Sequence, residues 1–337
     1  MAPSKVTFLS SLNAALHALC AADPSVYLLG EDITDPYGGA FKVTKGLSSA
    51  YPERVFSTPI SEAGIVALSG GMALRGLRPI VEIMFGDFIA LCADQILNHL
   101  SKYPFMYGQP IKVPVVIRTP VGGGRGYGPT HSQSLEKLFL GVPGLKVIAP
   151  SVFHVPGQCL IASTKLNTPV LFLEHKLSYP EELFTTESAP ELTFERGEEE
   201  AFPTARLRNF SSGSAEVSFV CYGGSALLLR KVLTRLAQEE ISAQAFVPSL
   251  LNSKNPSFIQ ECAATTTRGC ILVEEGTEGF NWSSEIASRI QGSSTQKPIA
   301  ITRICPTMPI LPTCKSAESA ILPSAEKLVH AAFKLIS

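Results

Sequence analysis

The sequence predicts an α/β protein of two doubly wound domains, and three observations carry that expectation. Helical patterns alternate with short apolar runs from residue 5 to about 180, and again from 216 to the end. Strands alternating with helices build βαβ units, hence a parallel sheet covered on both faces. Runs such as Val113-Pro-Val-Val-Ile117 and Pro169-Val-Leu-Phe-Leu173 are apolar throughout, as strands buried on both sides are. At 337 residues the chain exceeds one typical core, and 45% apolar against 17% charged residues can fill two.

Taken in order, Leu9, Leu12, Leu16 and Leu19 recur at helical spacing with Ser11, Asn13 and His17 between them. That predicts an amphipathic helix over 6–22 rather than the uniform apolar core of a signal peptide. Asp23-Pro24 ends it. Strands are expected at 26–29, 54–57, 79–84, 113–118, 145–148 and 169–173, and helices at 62–76, 87–103, 133–140 and 152–166. Residues 180–212 turn charged and loop-like, through Glu181-Glu-Leu-Phe-Thr-Thr-Glu187, Phe194-Glu-Arg-Gly-Glu-Glu-Glu200 and Asn209-Phe-Ser-Ser-Gly-Ser214. They predict a linker with a short strand or two. Val217-Ser-Phe-Val-Cys-Tyr222-Gly-Gly restarts the alternation as a strand ending in a glycine turn. Helix 225–239, strand 243–247, helix 256–265, strand 270–274, helix 282–291, strand 298–303 and helix 324–336 follow. The expected division is 1–182, a linker at 183–213, and 214–337.

Net charge is −1 without a basic block, which argues against nucleic acid and anionic membranes as partners. No apolar run reaches the roughly 20 residues a membrane span needs. None of the eight cysteines is spaced C-x-x-C, so they read as small hydrophobes in a reducing compartment. The expected location is the cytoplasm, or an organelle matrix for a processed chain.

Glu62 is the first residue to weigh. It opens a stretch from Ser57 that carries no other charge until Arg75. Two readings stand: an anion at a helix N-terminus, where it is favoured, or a buried acid with a task. The glycine-rich run Val121-Gly-Gly-Gly124-Arg-Gly126-Tyr-Gly128-Pro-Thr-His131 follows a predicted strand but lacks the Gly-Lys-Ser/Thr of a P-loop. It reads as a loop at the carboxyl end of a parallel strand, where open α/β sheets place ligands, and it delivers His131 there. Phe88 reads as a core aromatic or as a platform for a flat heteroaromatic ring. Glu62, Phe88 and His131 each follow a predicted parallel strand, and loops at one edge can build one site.

Leu28-Leu-Gly-Glu-Asp32, Pro59-Ile-Ser-Glu62-Ala-Gly, Leu77-Arg-Pro-Ile-Val-Glu82, Asp87-Phe88 with Asp94-Gln-Ile, Pro114-Val-Val-Ile-Arg-Thr-Pro, His131-Ser-Gln-Ser and Pro143-Gly-Leu-Lys-Val run in order across the first half. Together they resemble the β subunit of thiamine-diphosphate-dependent 2-oxo acid dehydrogenases of the pyruvate and branched-chain type, in the transketolase-like superfamily. The likeness continues more loosely through Tyr222-Gly223, Glu274-Glu-Gly276, Gly279-Phe280 and Glu285-Ile286. It implies that Glu62 hydrogen-bonds the aminopyrimidine ring nitrogen of thiamine diphosphate, favouring the tautomer that creates the ylid. It implies that Phe88 stacks on the pyrimidine with Ile60 beside it, and that His131 lies near the reacting substrate.

The chain has no Gly-Asp-Gly, the motif with which this class holds magnesium and the diphosphate. The resemblance therefore implies that a separate α subunit supplies the Mg2+ site, with a second copy of each chain in a heterotetramer. It also allows a structural potassium ion on backbone carbonyls near 113–115 and 161–168. The second half departs from the family at Pro248-Ser-Leu-Leu-Asn-Ser-Lys, at Phe280-Asn-Trp-Ser-Ser and through 305–314. Three functions remain open. One is the β subunit that decarboxylates a 2-oxo acid and acylates a lipoyl arm, docked to a dihydrolipoyl acyltransferase. Another is a two-chain carboligase or transketolase-like enzyme that passes the same carbanion to an aldehyde. The last is a non-catalytic regulatory subunit.

Overall fold

The computed structural model describes residues 5–197, 201–293 and 298–337. Glu198, Glu199 and Glu200, which close the charged run of the expected linker, lie outside the described residues. No described helix is long and apolar enough to cross a membrane.

Helix α1 (Phe8–Ala22) opens the first half. The Thr7 hydroxyl caps it by accepting from Ser10 N, and Phe8, Leu12, Leu16 and Leu19 are its buried stripe. Strand β1 (Val26–Gly30), the short α2 (Leu47–Ala50), β2 (Val55–Ser57), α3 (Glu62–Leu74) and β3 (Arg78–Glu82) follow. The single helix expected over 87–103 is instead a 3-10 turn at Gly86–Cys92, a π-helical turn at Gln95–Leu100 and the short α4 (Tyr103–Met106). Such π turns cluster near functional sites. Strand β4 (Val116–Val121) begins three residues later than expected. Pro114 has no N–H to give a ladder, and Val115 N turns back onto Val113 O. A 3-10 turn at Glu136–Leu138 is all that forms of the helix expected over 133–140. Strand β5 (Lys146–Ile148), α5 (Pro156–Lys165) and β6 (Val170–His175) complete this half. Its six strands run in the order β2-β1-β3-β4-β6-β5, every pairing parallel.

The expected linker is not structureless. It supplies β7 (Thr193–Arg196) and β8 (Thr204–Arg208), an antiparallel edge on the second sheet. That sheet continues with β9 (Ala215–Cys221), α6 (Leu229–Gln238), β10 (Ala243–Pro248), α7 (Ser257–Thr265), β11 (Thr266–Val273), α8 (Trp282–Ser293) and β12 (Ala300–Ile304). Its order is β12-β11-β9-β10-β8-β7, and α9 (Lys315–Ile321) and α10 (Ala325–Ile336) end the chain.

The two halves share a core. One apolar cluster takes Leu29, Ile117, Val147 and Leu173 from the first sheet and Val220, Tyr222, Phe246 and Trp282 from the second half. The segments that depart from the family pack on one another at this seam. Trp282 Nε1 donates to Leu251 O at 3.1 Å, and its ring meets Tyr222 edge-on at 4.9 Å. Arg289 donates to Ser253 O and Lys254 O, and Asn252 pairs with the backbone of Val147 and Leu145.

Beneath the edge that carries the candidate residues, Arg118 is buried and donates to both oxygens of Glu174 at 2.7 Å and to Glu82 at 2.8 Å. Tyr179 adds its hydroxyl to Glu174 at 2.8 Å. Removing one member of such a cluster leaves uncompensated charge in the core. Arg118→Met is therefore expected to cost about 3–5 kcal/mol of folding stability, measured by urea unfolding. A loss below 1 kcal/mol would mean that the two carboxyls ride out the change by protonation.

Candidate functional site

Glu62 is the first residue of α3, preceded by Ser61 at the N-cap position. Position and burial coincide: it stands at the helix end that favours an anion, and it is buried, at 7% exposed. Its carboxyl has no hydrogen-bond or ion-pair partner among the described residues. Two neighbours register its charge. Glu31, which directly follows β1, is pushed up by burial first and then by Glu62 and Asp32. The Cys92 thiol, at the end of the 3-10 turn, is raised to about 12 by burial and then by Glu62. Ile60, two residues before Glu62, is 83% exposed, a large apolar side chain beside a buried acid.

The same turn links Glu62 to the other candidates, because Phe88 lies one turn before Cys92, whose thiol is 3.9 Å from Phe88 O. The rings of Phe88 and His131 meet edge-on at 5.2 Å, and Phe85 closes the group at 4.8 Å from His131 and 5.9 Å from Phe88. Edge-to-face contacts of this kind fix ring orientation. Nδ1 of His131 is 3.0 Å from Thr130 Oγ1, and Nε2 has no partner among the described residues. The loop before it needs its glycines. Gly122 sits at φ +90°, and a Cβ there would come within 2.0 Å of His175 Nε2. Lys176, buried just past β6, donates to His131 O at 2.7 Å. Burial lowers this ammonium to about 8 against the pull of Asp87, Glu275 and Glu318.

Buried polar atoms without partners gather at this edge. Of twelve such side-chain atoms among the described residues, six lie on segments following β1 to β4: Glu31 Oε1, Thr58 Oγ1, Asp87 Oδ2, Gln95 Oε1, Ser132 Oγ and Glu136 Oε2. Buried polar groups are normally satisfied, so this concentration marks a surface that expects a ligand. A groove of about 750 Å³ between α6 and α10, lined by Arg230, Arg235 and His330, holds none of these residues.

Sequence reasoning singled out Glu62, Phe88, Ile60 and His131 but missed Glu31, Phe85 and Lys176. Glu31 carries a readable signal, an acid directly after a parallel strand. Lys176 carries none, since a lysine after a strand normally reaches solvent. His154 and His175 are structural. His154 is lowered to about 4 by burial, its Nε2 3.1 Å from Val247 O, and His175 pairs with Glu275 at 3.0 Å.

At the seam, burial raises Glu136 to about 7 from 4.5, although the Tyr222 hydroxyl donates to it. A carboxyl raised in the fold contributes stability that is full below pH 4.5 and is lost as pH rises through 7. Glu136→Gln cannot titrate. It should gain on wild type by on the order of 3 kcal/mol between those limits, seen as diverging melting temperatures at pH 5 and pH 8. Parallel pH profiles would refute the shift.

Residues 4–182 match the family model described as the transketolase, pyrimidine binding domain. The chain is 33% identical to the acetoin:2,6-dichlorophenolindophenol oxidoreductase subunit beta of Cupriavidus necator, over 98% of this chain and 97% of that one. It is also 33% identical to the pyruvate dehydrogenase E1 component subunit beta-1, mitochondrial, of Arabidopsis thaliana, over 97% and 88%. Among solved structures it resembles a chain described as a split gene transketolase, inactive beta4 tetramer. The TM-score is 0.73 at 19% identity, covering 98% of each chain, a likeness of fold.

Proposed function

Because this chain belongs to the β subunits of thiamine-diphosphate-dependent 2-oxo acid dehydrogenases, we propose that it supplies the ring-holding half of a two-chain active site. That site decarboxylates a 2-oxo acid and passes the acyl group to a lipoyl carrier. The observation that carries this reading is Glu62, a nearly buried acid with no protein partner inside the matched domain.

Bound thiamine diphosphate supplies the carbanion chemistry by which a 2-oxo acid loses carbon dioxide. The residues here fit its ring end. Glu62 would share a proton with the pyrimidine nitrogen, in a setting dry enough for that hydrogen bond to be strong. Glu31, whose carboxyl is raised beside it, can share that proton. Phe88 and Ile60 offer apolar surface for the ring, and His131 presents an unbonded Nε2 for proton transfer at the acyl end. Magnesium and the diphosphate fall to an α subunit, since this chain lacks the Gly-Asp-Gly that would hold them. Phe105 and Met106 on α4 and Tyr107 just after it, each more than half exposed, offer apolar surface for that subunit or a second copy of this chain. We take 1–182 as the ring-binding domain and 214–337 as the second, with β7 and β8 of 183–213 carried on the second sheet.

The carbonyls from which the resemblance would build a potassium site already have protein donors, which argues against a structural potassium ion. Thr164 O and Leu166 O, within the segment expected to hold it, already accept from Arg78 at 2.5 and 3.4 Å. Ser163 O and Asn167 O accept from Leu166 N and Val113 N. Exchanging K+ for Na+ should therefore leave the melting temperature unchanged, and a clear K+-specific rise would overturn this.

The test is to co-purify the chain with an α partner and titrate thiamine diphosphate and magnesium calorimetrically. Lipoyl-domain acylation is then followed with pyruvate and branched-chain oxo acids. Cofactor should bind the pair and neither chain alone, and acylation should require the oxo acid. A pair that binds cofactor but acylates no lipoyl domain while joining the oxo acid to an aldehyde would replace this reading.

A further inference from the structure

We propose that Glu318, on α9 of the second half, is a positioning residue for His131, bracing the glycine loop across the seam between the two sheets. The inference rests on reading His131 as the acyl-end residue. In the loop from 122 to 131 the side chains of Arg125 and Tyr127 give some hold, Arg125 reaching Lys176 O at 3.3 Å and Tyr127 meeting the Phe85 ring, but Gly122, Gly124, Gly126 and Gly128 all sit at positive φ and have none. A segment so free in the unfolded chain keeps one shape only when its backbone is tied from outside.

The ties come from carboxyls of the second half. Glu318 Oε2 accepts from Gly126 N at 2.7 Å, and Glu275 Oε2 accepts from Gly123 N at 2.9 Å. Glu275 Oε1 is held in turn by His175 Nε2 at 3.0 Å. At the far end, Lys176 Nζ takes the backbone oxygen of His131 itself at 2.7 Å. Glu318 is fully buried, and its other oxygen, Oε1, has no partner among the described residues. The fit is close, because a Cβ at Gly123 would lie 3.0 Å from Glu318 Oε1 and one at Gly126 only 2.8 Å from Lys315 Cβ. A short helix of one domain therefore sets the backbone that presents a catalytic side chain of the other. Backbone N–H bonds to a buried carboxyl are among the stronger hydrogen bonds in proteins, and nothing else among the described side chains ties Gly126 N.

The test uses the α–β complex with Glu318→Ala and Glu318→Gln. Hydrogen–deuterium exchange is read over residues 122–131, alongside kcat, KM for the oxo acid and cofactor affinity. Glu318→Ala should speed exchange of loop amides about 10–100-fold while peptides from β4 and β6 stay protected. It should lower kcat about tenfold or more, with cofactor affinity unmoved. Glu318→Gln keeps an acceptor for Gly126 N and should restore most of both. Should the alanine variant fail to assemble, Lys176→Met removes the opposite tie under the same readouts. An unaltered loop overturns the proposal, as does a loosened loop with wild-type kcat. The exchange readout needs no turnover, so a failed brace is told from a failed reading of His131. In the latter case the loop loosens but His131→Ala turns over as wild type, and the proposal falls for that separate reason.

Discussion

Glu62→Gln is expected to assemble with its partner normally and to lose turnover by about 10²–10⁴-fold, the range a positioned proton-transfer group supplies. Stability should move the other way or not at all. The wild-type carboxyl is buried without a partner among the described residues, beside a second acid, Glu31, so the amide breaks no bond and sets no second carboxylate against Glu31. That split separates the two roles a buried acid can have. A structural carboxyl such as Glu174, gripped twice by Arg118 and once by Tyr179, costs stability when altered. A functional one costs rate alone. Proton exchange at the thiazolium carbon of the cofactor-loaded complex is the direct measurement. Exchange at the wild-type rate in the variant would remove Glu62 from the chemistry, and a large drop in melting temperature would return it to the scaffold. Glu31→Gln should lose less, because Glu31 acts on the ring only through Glu62.

Much of this was legible in the sequence because strand order and strand ends are written locally. The uniform apolar runs at 113–117 and 169–173 read as strands buried on both faces, and acids, aromatics and glycines after such strands mark the ligand-binding edge. What stayed hidden depends on distant partners. The short strand or two expected within 180–212 are β7 and β8, but their place on the second sheet was not readable, because only one side of an antiparallel edge is covered and their burial alternates accordingly. The run 87–103 has helical spacing, yet Phe88 and Cys92 lie on a 3-10 turn that a π-helical turn follows, so no single helix runs through it. Lys176 and Glu318 could not be found at all, since each meets the glycine loop from a remote part of the chain.

His131→Ala is the companion experiment, and its expected signature differs from that of Glu62→Gln. The imidazole is partly exposed and held by ring edges of Phe85 and Phe88, so its loss should leave folding and cofactor affinity nearly intact. Transfer of the acyl group to a lipoyl domain should fall by about 10²–10⁴-fold, because Nε2 is the one nitrogen left free to serve an incoming sulfur or a departing proton. Oxidation by an artificial electron acceptor, which needs no proton delivered to a disulfide, should fall much less. The ratio of the two activities is the discriminating quantity. A residue that merely shaped the pocket would lower both together, and His131→Asn, polar but unable to cycle a proton, would then restore both. If His131 works as a proton donor, asparagine restores neither in full, and the loss concentrates in lipoyl acylation. Equal losses rescued by asparagine would reduce His131 to a wall of the site and leave proton delivery to another group.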